Sequence, residues 1–284
     1  MSTTPAPALV MIDGRVVPTA QACVSVFDRG FLYGDAVFET LRTYRGVPFA
    51  LDAHMDRLVR SASRVLISLP VALGTIRDEV LQGVRQAGYA EAFVRIMLTR
   101  GVGEIDLSPQ PEARPLRVMI VGPVRPPAPE AYALGVGVVT YRTQRAADAT
   151  DAVGAKITNY LVSVLAMSEA RAVGAVEALI VDRDGCVVEG ATSNVFAVIG
   201  SELVTPPEES GILLGITRST VLSVARAVGL QVVLRSVPVE ELREADEVFI
   251  SSSIRELLPV VRIDGNLVGK GRPGPTTVRL HRAY

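Results

Sequence analysis

Apolar and polar positions recur with two periods along the chain, and the switches between them mark its elements. Leu9-Val-Met-Ile12 and Arg15-Val-Val17 flank Asp13-Gly14, a two-residue turn that predicts a hairpin. Strand patterns follow over 36–44 and, past Arg45-Gly46, over 47–50. Met55, Leu58, Val59, Ala62, Val65 and Leu66 then recur at helical spacing behind Asp52, which is expected to cap that helix. A second helix is expected over about 76–87, then strands over 93–99 and 116–121. Pro123, Pro126, Pro127 and Pro129 crowd the next stretch. Proline removes backbone donors and stiffens the chain, so 123–132 is expected to be an interdomain linker. Beyond it come a strand at 136–141, a polar Ala/Asp loop and a helix from about Tyr160 to Ala172. Strands at 178–182, 187–189, 195–199 and 203–205 precede a helix at 217–228. Strands near Val232 and at 248–251, a hairpin at Asp264-Gly265 and a helix ending near Tyr284 complete the pattern. Strands and helices mix without strict βαβ alternation. This predicts an α/β (α+β) protein of two lobes, a small N-terminal domain over 1–122 and a larger one over 133–284.

Composition narrows the function classes. An apolar fraction of 49% with 21% charged residues suits a globular protein with a large core. A net charge of −1 gives no electrostatic case for nucleic acid or an anionic membrane as partner, and no apolar run reaches the length of a membrane span. Met1-Ser-Thr-Thr-Pro-Ala-Pro7 lacks a charged and then apolar start, so a frayed tail and a cytoplasmic location are expected. Cys23 and Cys186 are too few for a disulfide framework. With only His54 and His281 beside them, no metal site is expected, and no Gly-x-Ser-x-Gly elbow is present. Gly265 to Gly271 resembles a phosphate loop but is one residue short and has no Ser or Thr after Lys270, which favours a plain hairpin turn.

The chemistry starts from a scarcity. Of 29 basic residues only Lys156 and Lys270 are lysines. Lys156 is flanked by Val153, Ala155 and Ile157; packed inside, it would lose hydration, and desolvation favours the neutral amine that attacks carbonyls in Schiff-base catalysis. A lysine that snorkels to the surface at a helix start is the alternative. A Schiff-base lysine needs an electron sink, which pyridoxal phosphate supplies, together with a phosphate cradle and a partner for the ring nitrogen. Glu189, beside Gly190 at a strand end, suits the ring nitrogen, or is an ordinary turn glutamate. Leu214-Gly215-Ile216-Thr217-Arg218 at the mouth of a helix offers N–H groups and a hydroxyl for an anion, or a plain N-cap at Thr217. Ser251-Ser252-Ser253 adds hydroxyls after a strand.

Taken in order, Lys156-x-x-Asn159-Tyr160-Leu161, Glu189-Gly190-x-x-Ser193-Asn194-Val195-Phe196 and Gly215-Ile216-Thr217-Arg218 resemble the signature of the class IV, fold type IV, pyridoxal-phosphate aminotransferases. Asp28-Arg29-Gly30, Tyr33-Gly34-Asp35 and His54-x-x-Arg57-Leu58 extend the resemblance into the first lobe. The resemblance implies pyridoxal 5′-phosphate bound covalently to Lys156, which also shuttles the substrate proton. It implies Glu189 on the ring nitrogen, Tyr160 on the phenolic oxygen, Leu213 against the ring face, and Arg57, Ile216, Thr217, Ser252 and Ser253 around the phosphate. His54 is expected to anchor its helix.

Within the family, D-amino acid aminotransferases of the best-known type follow Thr-Arg-Gly with an Arg-x-His pair, whereas Thr99-Arg100-Gly101 is followed here by Val102-Gly103-Glu104-Ile105-Asp106-Leu107. Tyr33, Phe38 and Arg95 resemble the substrate pocket of branched-chain aminotransferases, with Phe93 replacing their tyrosine, and Ile105 and Leu107 stand in a loop that in those enzymes closes the pocket of the neighbouring subunit. Glu39 stands where aminodeoxychorismate lyases carry threonine. The resemblance therefore implies a homodimeric transaminase passing nitrogen from a branched-chain or other aliphatic amino acid to a 2-oxo acid such as 2-oxoglutarate. D-amino acid or (R)-amine transamination, lyase activity and a non-enzymatic dimeric binding protein on the same fold are the alternatives.

Overall fold

The computed structural model describes residues 8–108, 114–143 and 154–284. The expected N-terminal tail, Pro109, the Ala/Asp loop and Val153 lie outside the described residues. The chain forms two compact units, Met1–Arg125 with Ala155–Asn159, and Pro126–Gly154 with Tyr160–Tyr284.

The first unit holds strands β1 (Leu9–Ile12), β2 (Arg15–Val17), β3 (Ala36–Tyr44), β4 (Val47–Pro48), β5 (Ala92–Thr99) and β6 (Leu116–Pro123). They make an antiparallel sheet in the order β2-β1-β6-β5-β3-β4. The β1–β2 turn has Asp13 at φ 48° and Gly14 at φ 79°, the paired positive angles that a two-residue hairpin requires. Helices α1 (Arg29–Tyr33), α2 (Leu51–Arg64) and α3 (Leu73–Ala87) complete the unit. Val94, Ile96 and Leu98 alternate along β5 and are fully buried with Val37 and Leu41 of β3 against Met55 and Leu58 of α2 and Ile76 and Val80 of α3. Each such side chain contributes roughly 1.5–3 kcal/mol of burial free energy.

Asp52 does not cap α2. The helix starts after Ala50, at φ 50° and without a side-chain cap, which leaves Asp52 inside the first turn. There it favours the helix dipole and accepts from Arg77 Nε at 2.9 Å.

Residues 155–159 add a short backbone ladder to β3. Phe38 N donates to Lys156 O at 2.9 Å, Thr158 N donates to Ala36 O at 3.0 Å, and Val37 bridges Ile157. β4 pairs only with Thr43 and Tyr44, so the start of that β3 edge accepts this segment. Lys156 thus groups with the first unit, whereas the sequence pattern places it in the 133–284 lobe.

The second unit begins with α4 (Pro129–Leu134), β7 (Val136–Arg142), α5 (Leu161–Ala172), β8 (Glu177–Val181) and β9 (Cys186–Gly190). Strands β10 (Asn194–Ile199) and β11 (Glu202–Thr205), helix α6 (Ile216–Ala227), and strands β12 (Gln231–Leu234) and β13 (Val237–Pro238) follow. The unit ends with α7 (Val239–Glu244), β14 (Glu247–Ser252), β15 (Glu256–Ile263), β16 (Asn266–Leu267) and α8 (Pro275–Ala283). The sheet order is β12-β11-β10-β14-β15-β7-β8-β9-β13, with β16 on β15. Alternation along β10 and β14 feeds two cores. Val195, Ala197, Val248 and Ile250 join one, while Phe196 and Phe249, stacked at 4.7 Å, join the other.

The expected linker at 123–132 contains structure at both ends, since β6 runs to Pro123 and α4 starts at Pro129. Proline in a first helical turn loses no hydrogen bond and brings a pre-set φ, so this cluster both ends a strand and starts a helix. The β15–β16 turn has Asp264 at φ 51° and Gly265 at φ 81°, the hairpin geometry read from the sequence.

Candidate active site

In the first unit, Lys156 Nζ lies 4.5 Å from the centroid of the Phe38 ring, and the Arg95 guanidinium lies 4.0 Å from the same centroid. Phe38 faces Met97 in the β3–β5 ladder, which makes Arg95 its diagonal neighbour. Two basic side chains thus meet one aromatic ring, and the Arg95 guanidinium supplies charge that attracts a carboxylate. Ser61 of α2 accepts the Lys156 backbone N–H at 3.0 Å, so sheet edge and helix both fix the lysine's backbone.

Glu39 points into the helix-covered face of β3, in register with Val37 and Leu41, and is fully buried. It accepts from Arg57 Nε at 2.7 Å and Nη2 at 2.8 Å, and its other contact is His54 Nδ1 at 2.7 Å. Burial alone would raise the Glu39 carboxyl, but the hydrogen bonds and charges of Arg57 and His54 hold it at about 2. The charge-assisted fork that the resemblance directs at a phosphate therefore closes on Glu39, and any further anion meets a guanidinium already oriented. His54 anchors α2 to β3, as expected. Glu39 itself was missed as a site residue. Its signal was a carboxylate in step with two apolar residues of a strand.

The remaining substrate-pocket candidates lie in α1 and in the loop after Gly101. Tyr33 lies under Arg29 at 5.1 Å. Arg29 donates from Nε to Asp35 at 3.1 Å and from Nη1 to the Asp106 carbonyl at 2.5 Å, while Arg100 forks onto Asp35 at 2.7 and 3.0 Å. This network braces the loop carrying Ile105 and Leu107, whose side chains are 73% and 77% exposed.

In the second unit, Glu189 at the end of β9 accepts from Leu213 N at 3.0 Å and from Asn194 Nδ2 at 3.4 Å, and Asn194 Nδ2 also donates to Leu213 O at 2.8 Å. Asn194 thus ties together the two candidates for the cofactor ring. Gly190 is required by packing, because a Cβ there would lie 2.2 Å from Ser193 Oγ. Ser193 and Thr192 both donate to Glu177, which is fully buried and ion-paired with Arg255. Tyr160 precedes the first turn of α5.

The start of α6 has the makings of an anion site. Its N-cap is Gly215, with no side-chain cap, so Ile216 and Thr217 are first-turn residues and Thr217 does not cap the helix. Thr217 and Arg218 are buried, and burial pushes the Arg218 guanidinium below its ordinary value. Ser252 Oγ accepts from Arg255 N at 3.4 Å. Ser251 Oγ is buried with no hydrogen-bond partner among the described residues, a donor waiting for an acceptor. An uncapped helix start and a buried unpaired hydroxyl are the donors a phosphate requires. The residues present fit a phosphorylated cofactor.

The model of the class IV amino-transferases matches residues 36–263. The chain belongs to the class IV aminotransferases. It is 37% identical over 275 residues to a putative branched-chain-amino-acid aminotransferase of Methanocaldococcus jannaschii, covering 97% of this chain and 94% of the relative. It is 32% identical to a D-alanine aminotransferase of Bacillus licheniformis over 96% of this chain and 95% of that one. A T.th. branched-chain amino acid aminotransferase, solved with pyridoxamine 5′-phosphate, superposes with a TM-score of 0.91 at 31% identity, over 99% of this chain and 93% of the other. The two-unit α/β architecture is that of fold type IV, and the enzyme is a transaminase that works with pyridoxal 5′-phosphate. Among the described residues no helix is long and apolar enough to cross a membrane.

Proposed function

We propose that this aminotransferase moves nitrogen between a branched-chain or other aliphatic amino acid and a 2-oxo acid, with Lys156 as its catalytic residue. When bound, pyridoxal 5′-phosphate would supply the electron sink for the substrate Cα–H bond. Lys156 holds the cofactor covalently and moves the proton at the substrate Cα. Glu189, oriented by Leu213 N and Asn194, keeps the ring nitrogen protonated. Tyr160 serves the phenolic oxygen and Leu213 the ring face. Arg57, Ile216, Thr217, Ser252 and Ser253 serve the phosphate, with Ser251 added by its buried hydroxyl, which has no partner among the described residues. Arg95 supplies positive charge for the substrate carboxylate, and Tyr33, Phe38, Ile105 and Leu107 supply apolar contact.

The observation that carries this reading is Lys156 held on the β3 edge with its amine 4.5 Å from the Phe38 ring, the ring that the Arg95 guanidinium also covers. Lys156→Ala should abolish the visible absorption of lysine-bound cofactor together with activity; full activity in that variant would refute the assignment.

For the substrate, the loop after Gly101 offers Ile105 and Leu107 and no Arg-x-His pair. An apolar pocket gains roughly 0.8 kcal/mol per buried methylene, enough to prefer leucine over alanine. Phe93, which lacks the tyrosine hydroxyl, and the likeness to a D-alanine aminotransferase support a second reading, transfer from D-amino acids or (R)-amines. Cofactor bleaching with L-leucine, D-alanine and (R)-1-phenylethylamine in separate half-reactions decides between them. Bleaching fastest with D-alanine would reject the branched-chain reading. Homodimerisation is proposed from Phe27, Phe31, Ile105 and Leu107, exposed apolar side chains of α1, its approach and the loop after Gly101, two segments joined by the Asp28–Val102 bridge. Sedimentation should give twice the chain mass, and a cytoplasmic location completes the proposal.

A further inference from the structure

A cleft of about 480 Å³ lies in the second unit between α4 and α8, and neither Glu189 nor the start of α6 lines it. Its walls include Tyr132, Pro259, Pro273, Val278, Arg272 and Arg282. These walls are held in place. The Tyr132 hydroxyl donates to the Arg255 carbonyl at 3.0 Å, and its ring stacks on His281 at 5.2 Å between centroids and 26° between planes. His281, also in the wall, has Nε2 2.8 Å from the Glu256 carboxylate. Groups fixed before binding lose little freedom on binding.

The charge in this cleft comes from two arginines. Arg272 and Arg282 are exposed and make no ion pair among the described residues, while His281 is already engaged by Glu256. The first turn of α8 adds nothing for an anion, because Thr276 N and Thr277 N already donate to Glu247 at 2.9 and 2.7 Å. Arg272 precedes α8 and Arg282 lies in its last turn, so they line the cleft from opposite ends of that helix. Between them the lining is aromatic and aliphatic apart from Thr277, whose hydroxyl already donates to Glu247.

We propose that this cleft binds a small organic dicarboxylate, one acid group on each arginine and its apolar body against Tyr132, Pro259 and Val278. Arginine pairs with carboxylates through charge-assisted forks, and a tyrosine ring with proline walls accepts a flat or branched hydrocarbon. The site is separate from the amino-transfer reading and does not depend on it.

The test is 19F NMR of 2-fluoroterephthalate with the cofactor-loaded enzyme. The wild type should show saturable binding with Kd near about 1 mM, as suits so small a ligand. Arg272→Ala/Arg282→Ala should weaken that binding at least about tenfold. Ala133→Trp, at an exposed lining position, keeps both arginines, fills the cleft and should weaken it as well. All three substituted positions are exposed, so thermal midpoints should stay at the wild-type value. Absence of saturable binding in the wild type, or wild-type affinity in either variant, would overturn the proposal.

Discussion

Glu39→Gln tests the electrostatic centre of the first unit. The substitution keeps shape and volume but removes the charge that faces Arg57 and His54, and it turns an acceptor oxygen into an NH2 donor. The side chains of Glu39 and Arg57 are 0% and 6% exposed, so water does not screen their pairing. Removing one partner of such a buried pair costs about 3–5 kcal/mol, because the other charge stays buried without compensation. The depressed Glu39 carboxyl gives a second route to the magnitude. A carboxyl lowered from 4.5 to about 2 corresponds to about 3 kcal/mol of differential stabilisation. Since the folded-state value is the depressed one, this stability is fully present above pH 4.5 and is lost as pH falls through about 2. The assay is urea unfolding of the wild type and Glu39→Gln at neutral pH and through the acid range. The variant should lose about 3 kcal/mol or more at pH 7 and show a flatter acid profile. Arg57→Met should cost less in the Glu39→Gln background than in the wild type, as coupled partners do. A loss under about 1 kcal/mol, or an unchanged acid profile, would refute the buried-pair argument.

Glu177→Gln removes the fully buried charge that joins Thr192, Ser193 and Arg255, so it should cost about 2–4 kcal/mol and speed loss of cofactor on dialysis. Unchanged stability and retention would show that this cluster does not hold the turn after Glu189. Gly190→Ala places its Cβ 2.2 Å from Ser193 Oγ and should cut activity at least about tenfold. Adding Ser193→Ala removes that atom and should restore part of the loss; no recovery in the double variant would place the conflict elsewhere. Arg29→Ala deletes the bond to the Asp106 carbonyl while Arg100 still pairs with Asp35. Steady-state kinetics with aliphatic donors should show KM rising more than kcat falls, and an equal effect on alanine would argue against Ile105 and Leu107 as specificity residues.

The elements that were legible in the chain are those whose side chains repeat. β3, β5, β14, α2 and α6 each place apolar residues at one period for long enough to be read, and each is where that period puts it within a residue or two. The α1 helix has five residues and α4 hides behind prolines, so neither carries enough repeats to show. The ladder of 155–159 on β3 has no period at all. It depends on a vacant edge left by a two-residue β4, which exists only once the sheet is assembled.

Site chemistry divides along the same line. Lys156, Glu189 and the start of α6 could be named because a Schiff base, a ring nitrogen and a phosphate each demand a residue type, and type is what a sequence displays. The partners that orient them had no such demand on their type. Asn194 matters because it bridges Glu189 and the Leu213 carbonyl, and Ser251 because its hydroxyl is buried without a partner among the described residues; both facts are distances. Glu39 is the intermediate case. A charged residue two positions from Val37 and two from Leu41 in a strand cannot stay buried alone, so it requires cations on the element packed above it. The next helix offers His54 and Arg57, three residues apart and hence on one face. Charge at an inward strand position, followed by polar residues at helical spacing in the next element, is therefore a pattern from which a buried pair can be deduced before any coordinate is known.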